Sequence, residues 1–254
     1  MLITLSPAKS LNFESKLPKA KLTTPHFPKE IVELINHFQK LSASGLEKLM
    51  KISPKLAELN FQRFQNFSEN FTTQNSHPAL FLFDGDVYKS IDAENYDSED
   101  LDFAQNHLRI LSGLYGILRP LDLIQSYRLE MGTKSKNIIG MNLPEFWQDK
   151  IADLLNLELE KQKERTIINL ASSEYFDAVN PQKINGRIIN IIFKEKKDDD
   201  YKIIGIFAKK ARGLMADFII KNKIEKSEDL QDFKVDNYSF RSELSDETNL
   251  HFYR

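Results

Sequence analysis

Residues Phe103 to Gly132 read FAQNHLRILSGLYGILRPLDLIQSYRLEMG. Gly113 and Gly116 stand close together in a chain that has only 9 glycines among 254 residues, so a tight feature is expected there. Arg109, Arg119 and Arg128 are spaced through the stretch. Leu101, Ala104, Leu108 and Leu111 recur with the period of an amphipathic helix. Ser98 reads as its N-cap, with Glu99, Asp100 and Asp102 in the first turn, the end that favours acids. Asp102, Gln105 and Arg109 fall on the opposite, wet face. The pattern predicts that the helix breaks at Ser112-Gly113 and that a second segment starts after Arg119-Pro120. A glycine turn between two short helices can aim N–H groups at a phosphate. It can also be a corner in a core, and Arg109 can simply offset the helix dipole.

Outward from this stretch, the totals restrict the choices. Hydrophobic residues are 41% and charged residues 28%, as in an ordinary globular protein. The net charge is −2, so the overall balance gives no support to nucleic-acid binding, although a row of backbone donors or a local patch binds phosphate on a neutral protein. With 0 cysteines, disulfides, thiolate metal sites and cysteine nucleophiles are excluded. The five histidines, His26, His37, His77, His107 and His251, lack metal-ligand spacing. No run approaches the length of a membrane helix and the N-terminal run is too short for a signal peptide, so a cytoplasmic location is expected.

Leu2–Leu5 reads as a buried strand, with Ser6-Pro7-Ala8-Lys9 at its end. Ligand sites gather at strand ends in sheet proteins, which makes Lys9 a candidate; a turn with an exposed lysine is the alternative. A helix is predicted from Lys29 to Leu41. Ser42 and Ser53 read as N-caps, the second opening a helix from Pro54 to Phe67. Ala79–Phe83 reads as a strand ending in Asp84-Gly85-Asp86, a weak metal motif without a third carboxylate. Tyr127–Met131 reads as a strand, Asn142 as the cap of a helix to Gln162, and Thr166–Leu170 as a buried strand followed by Ala171-Ser172-Ser173-Glu174. Arg187–Phe193 and Tyr201–Phe207 read as a hairpin. Ala208–Lys223 reads as a helix, in which Lys209 and Arg212 share a face, and Gly213 suggests the close approach of another backbone or a ligand. Tyr238–Arg241 and Leu250–Arg254 read as strands. Without a linker or repeat, one interwoven domain over 1–254 fits.

Lys9, the Gly113–Gly116 turn with its arginines, and the Lys209–Arg212 face each bring cations or free amides. No standard nucleophile or phosphate motif occurs. An enzyme reading therefore rests on Lys9, with Glu130, Glu174 or Asp84 as acid or base.

Six blocks resemble signature blocks of the YaaA family of bacterial peroxide stress proteins: Leu5-Ser-Pro-Ala-Lys9, Phe83-Asp-Gly-Asp-Val-Tyr88, His107 to Asp122, Tyr127-Arg-Leu-Glu-Met-Gly132, Ile168-Asn-Leu-Ala-Ser172 and Phe207-Ala-Lys-Lys-Ala-Arg-Gly-Leu-Met215. The resemblance implies an α+β fold, a single mixed α/β globule with a central mixed sheet, surrounding helices and a positively charged cleft. It implies DNA binding with a helix-hairpin-helix-like element, which falls on Leu108 to Asp122. It also implies a role in peroxide stress, with unincorporated intracellular iron kept low. The nucleic-acid-binding residues it points to, taken with the spacing, are Lys9, Arg109, Gly113, Leu114, Tyr115, Gly116, Arg119, Arg128, Lys209, Lys210 and Arg212. A helix-hairpin-helix uses glycine–apolar–glycine, whereas here Leu114 and Tyr115 both lie between the glycines. The expected partner is structured or damaged DNA, bound largely without sequence preference by a monomer; no cofactor, metal or membrane is implied. An enzyme acting on a nucleotide or damaged base through Lys9 is the alternative. Direct iron sequestration is disfavoured because no ferritin-type Glu-x-x-His pair occurs.

Overall fold

The computed structural model describes residues 1–198 and 200–254. Leu2–Leu5 forms strand β1 with all four side chains buried. After a loop, helix α1 (Pro28–Phe38) turns Ile31, Leu34, Ile35 and Phe38 inward, as their spacing predicts. Ser42 and Ser53 cap the next two helices, α2 (Ala43–Met50) and α3 (Pro54–Gln65). Their hydroxyls accept from the Gly45 and Leu56 amides at 3.2 and 3.4 Å, filling donors that a helix start leaves open. Following the short strand β2 (His77–Pro78), Ala79–Leu82 is helix α4, not the expected strand. All four residues are buried, and a short run that is apolar on every side carries no period to tell helix from strand. Helix α5 (Ser98–His107) follows, with Asp97 rather than Ser98 as its N-cap and Asp100 completing a capping box.

The stretch quoted first departs most from expectation. The backbone becomes extended at Leu108 and forms β3 (Leu108–Ser112), then turns and returns as β4 (Gly116–Leu118), with Ser112 opposite Gly116. It is a β-hairpin, and the expected helix-hairpin-helix over Leu108–Asp122 is absent. Every residue from Leu108 to Leu118 is buried. Packing on both faces removes the amphipathic contrast that a helix would need, and β-pairing then overrides the apparent helical spacing. Strand β5 (Leu123–Ile124) pairs with β2. Tyr127–Met131, also expected as a strand, has no regular pairing.

Helix α6 (Lys136–Ile139) precedes α7 (Leu143–Leu159), which opens with an Asn142–Glu145 capping box. Strand β6 (Thr166–Asn169) and helix α8 (Ser173–Phe176) follow. Strand β7 (Arg187–Lys197) turns back into β8 (Asp200–Lys202), the expected hairpin with a shorter second arm. Helix α9 (Gly205–Lys221) takes over the rest of that arm, and β9 (Ser239–Phe240) and β10 (Asn249–Tyr253) close the chain.

The result is a mixed α/β domain with a central mixed sheet and surrounding helices. The sheet order is β4-β3-β1-β6-β7-β10-β9, with β8 attached to β7. The strands from β3 through β10 in that order run parallel, while β4, β9 and β8 are antiparallel additions. Because β1 registers Ile3 against both Leu108 and Ile168, the carboxyl ends of β1, β3 and β6 lie side by side. Crevices beyond such ends are where ligands bind in open parallel sheets.

Candidate functional site at the carboxyl ends of the strands

Ser6 follows β1 and Ser172 follows β6. Their hydroxyls are 3.2 Å apart, and the Ser172 amide donates to Ser6 Oγ at 2.9 Å. The Tyr88 hydroxyl donates to the Ser6 carbonyl at 2.8 Å. Beyond Ser112, at the end of β3, the Tyr127 hydroxyl is 2.6 Å from Ser112 Oγ. These bonds tie the unpaired segment 127–131 across the strand ends. Burial pushes the phenols of Tyr88, Tyr127 and Tyr175 upward, so they are neutral hydrogen-bonding groups.

On this frame Lys9 meets the 127–131 segment. Lys9 Nζ is 2.7 Å from Glu130 Oε2, and Arg128 Nη2 donates to Glu130 Oε1 at 3.0 Å. Arg128 is fixed from behind by Asn60 of α3, which is fully buried, accepts from the Arg128 amide at 3.0 Å and donates to its carbonyl at 2.9 Å. Arg128 Nε is buried without a partner. A cleft of about 360 Å³ opens beside this group, carrying Lys51, Arg128, Lys134, Glu130 and Glu174 on its walls. Glu174 Oε1 accepts from the Gly132 amide at 3.0 Å. Arg63 of α3 lies near enough to Arg128 to feel its charge; burial first, then that charge, lower the pKa of its guanidinium.

The other expected residues divide sharply. Leu114 and Tyr115 are fully buried in the hairpin turn. The Tyr115 amide donates to Ser112 Oγ at 3.0 Å, and a Cβ on Gly113 would meet the Leu129 carbonyl at 2.3 Å. Gly116, at φ +70°, would place a Cβ 2.6 Å from the Trp147 ring. The turn therefore faces the interior and offers no amide to a phosphate. Arg109 is likewise not on a wet face. It forms a two-pronged pair with Glu158, 2.7 Å at each prong, and donates to the Gln105 and Leu108 carbonyls. Arg119 is held by Asp122 at 2.7 Å and by the Thr24 carbonyl at 2.9 Å. The hairpin register puts both arginines at the amino end of β3, remote from Ser112, whereas Lys9 follows the carboxyl end of β1.

On α9, Lys209 and Lys210 are exposed, and Arg212 is half-buried with a guanidinium pKa lowered by that burial. The Gly213 backbone packs against the Val87 carbonyl, where a Cβ would stand at 2.0 Å, and Gly85 packs on Ala8. This is the close backbone approach expected at Gly213, and it links α9 to the segment carrying Lys9. Asp84 is ion-paired with Lys89 at 3.3 Å. Among the described residues no group of three or more histidines and carboxylates is arranged to hold a metal.

The sequence model of the family described as peroxide stress protein YaaA matches residues 1–244. The chain belongs to the YaaA family. It is 52% identical to a UPF0246 protein of Saccharophagus degradans over all of this chain and 99% of that one. A UPF0246 protein of Acaryochloris marina is 50% identical over the whole of both chains, and one of Alteromonas mediterranea is 50% identical over this chain and 98% of its own. The YaaA match extends over the segments that build the crevice: the β1 end, the 127–132 segment, the β6 end and α9. Within this YaaA-family chain, reading the sequence alone missed Lys51, Arg63, Lys134 and the clamp from Asn60. The apolar spacing of α3 points to Leu56 and Leu59 rather than to the face that is buried, Ala57, Asn60 and Phe64, so it gave no signal for Asn60, a buried group that needs partners. The exposed lysines gave none. Among the described residues no helix is long and apolar enough to cross a membrane.

Proposed function

We propose that this YaaA-family protein binds DNA through the sugar-phosphate backbone during peroxide stress, and so limits oxidative damage in cells whose unincorporated iron is kept low. The observation that carries this reading is the cleft beside Arg128. There a half-buried guanidinium with an unpartnered Nε stands with Lys9, Lys51 and Lys134 around it. Cations gathered at one crevice suit phosphate contacts that position a strand without selecting sequence. Lys209, Lys210 and Arg212 extend the contact surface along α9 in this reading. Arg109, Arg119 and the 113–116 turn have no part in it, because their donors are already used or buried.

Exposed Lys51 and Lys134 allow a test without disturbing the core. Replacing Lys9, Lys51 and Lys134 by alanine together should weaken binding to single- and double-stranded oligonucleotides. The slope of log K against log salt should fall by about 0.7–0.9 for each phosphate that is no longer neutralised. Fluorescence anisotropy over a salt series measures both. An unchanged affinity and slope rules out this cleft.

The alternative, an enzyme acting on a nucleotide or damaged base, is favoured by the location of Ser6, Ser172, Lys9 and Glu130 at parallel strand ends. A lysine nucleophile needs a desolvated amine. Lys9 has a side chain 64% exposed and paired with Glu130, so its amine is not desolvated. Borohydride treatment with abasic DNA should therefore trap no adduct on Lys9, as read by mass spectrometry.

A further inference from the structure

Glu130 places one carboxylate between two cations that come from separate elements. One oxygen receives Arg128 Nη2 at 3.0 Å, and the other lies 2.7 Å from Lys9 Nζ. That is the position a phosphate takes when an arginine and a lysine share its oxygens. The fit to a carboxylate is incomplete. Arg128 uses one corner of its fork on Glu130, and its buried Nε finds no acceptor. A phosphate, with more oxygens arranged as a tetrahedron, can accept from Nε and Nη2 together and still reach Lys9.

The two sides of this contact differ in freedom. Arg128 is pinned through its backbone by Asn60 on both the amide and the carbonyl. Glu130 has a side chain 28% exposed and borders the open cleft, so space for a swing lies beside it. Glu174, the other carboxylate on the cleft wall, is engaged by the Gly132 amide and pairs with no cation among the described residues. Arg63 adds a second half-buried guanidinium near Arg128, without a carboxylate partner among the described residues.

We propose that Arg128 and Lys9 form a phosphate subsite that the Glu130 carboxylate fills in the free protein, and that a phosphate group binds by displacing it. Glu130 is then an internal competitor that sets the affinity of the site. Strong anions displace it; weak ones, chloride and simple carboxylates, do not. The inference deepens the DNA-binding reading and rests on it for the carrier of the phosphate, a nucleic-acid strand.

The test compares the full-length protein with Glu130→Gln and Glu130→Asp, using pyrophosphate by calorimetry and a single-stranded oligonucleotide by anisotropy. Glu130→Gln removes the competing charge while keeping the size of the side chain. It should bind pyrophosphate about tenfold more tightly, the order expected when one negative charge in contact with the site is removed. Glu130→Asp, whose shorter arm cannot span both cations, should move the same way by less. Adding Arg128→Lys to Glu130→Gln should abolish the gain, because lysine lacks the fork. Equal or weaker pyrophosphate binding by both folded single variants would overturn the subsite, showing Glu130 to be an organiser of the cations instead. Tighter pyrophosphate binding with no oligonucleotide binding in any protein would uphold the subsite and sink the DNA reading. Tighter binding of both ligands supports both.

Discussion

Arg109 shows how far a single side chain can depart from its local pattern. Its guanidinium is locked onto Glu158, which is 8% exposed, and His26 Nε2 sits 3.9 Å from the same carboxylate. Burial and then the Arg119 charge lower the His26 pKa, so the imidazole is not an alternative counter-ion at neutral pH. Arg109→Ala would leave Glu158 buried and uncompensated. We expect it to lower stability by about 3–5 kcal/mol, read from the urea unfolding midpoint; a shift below about 1 kcal/mol would show that water or His26 takes over the charge. Arg128 is the opposite case. Its backbone is clamped and its side chain is only partly satisfied, the condition of a group kept for something else. In the sequence both are arginines next to apolar residues, and nothing local separates them. The difference comes from Glu158 and Asn60, partners 49 and 68 positions away.

At the level of elements, periodicity worked where an element had a wet side. α1, α7 and α9 follow from apolar spacing and caps because one face meets solvent, whereas α3 follows from its Ser53 cap and Pro54, since Leu56 and Leu59, which the spacing turns inward, are exposed and Ala57, Asn60 and Phe64 are buried instead. It failed at α4 and at the β3–β4 hairpin, where both faces are buried. Gly213 in α9 sharpens the point. An alanine in a helix interior ordinarily stabilises by about 1 kcal/mol over glycine. Here its Cβ would stand 2.0 Å from the Val87 carbonyl and 2.8 Å from Ser90 Cβ. Gly213→Ala should therefore destabilise by about 2 kcal/mol or more, by the cost of overpacking. Gly205→Ala, at the start of the same helix with no atom within 4 Å, should be neutral or slightly stabilising. Opposite signs in thermal denaturation are the expected result, and a stabilised Gly213→Ala would refute the close contact between α9 and the 87–90 segment.

For the molecule as a whole, buried tyrosines give the stability a dependence on alkaline pH. Tyr88, Tyr115, Tyr127 and Tyr175 have pKa values raised above the ordinary 10 first by burial. A raised folded-state value means that their contribution is complete below the unfolded pKa and is lost as pH climbs above it. Above about pH 10 each should reduce stability by up to about 1.4 kcal/mol per pH unit. Phenolate absorbance should rise together with unfolding rather than before it; an earlier rise for these four would place them in solvent. Tyr115→Phe and Tyr127→Phe should each flatten that decline. Two of these tyrosines, Tyr88 and Tyr127, also brace the strand ends at Ser6 and Ser112, so the crevice and the core share hydrogen-bonded support.

By itself the sequence determined the class of fold, most of the solvent-flanked helices, their caps, and the strands Leu2–Leu5 and Thr166–Asn169. Propensity, period and capping chemistry act over a few residues, so they are readable there. It also carried the family, through motifs spread along the chain. Only the tertiary structure decided that Leu108–Leu118 pairs as a hairpin, that Arg109 is spent inside, and that Lys9 and Arg128 share the Glu130 carboxylate. Those outcomes depend on which strand ends the parallel sheet brings together and on burial from both sides. Contacts between distant segments leave no period in the chain that makes them.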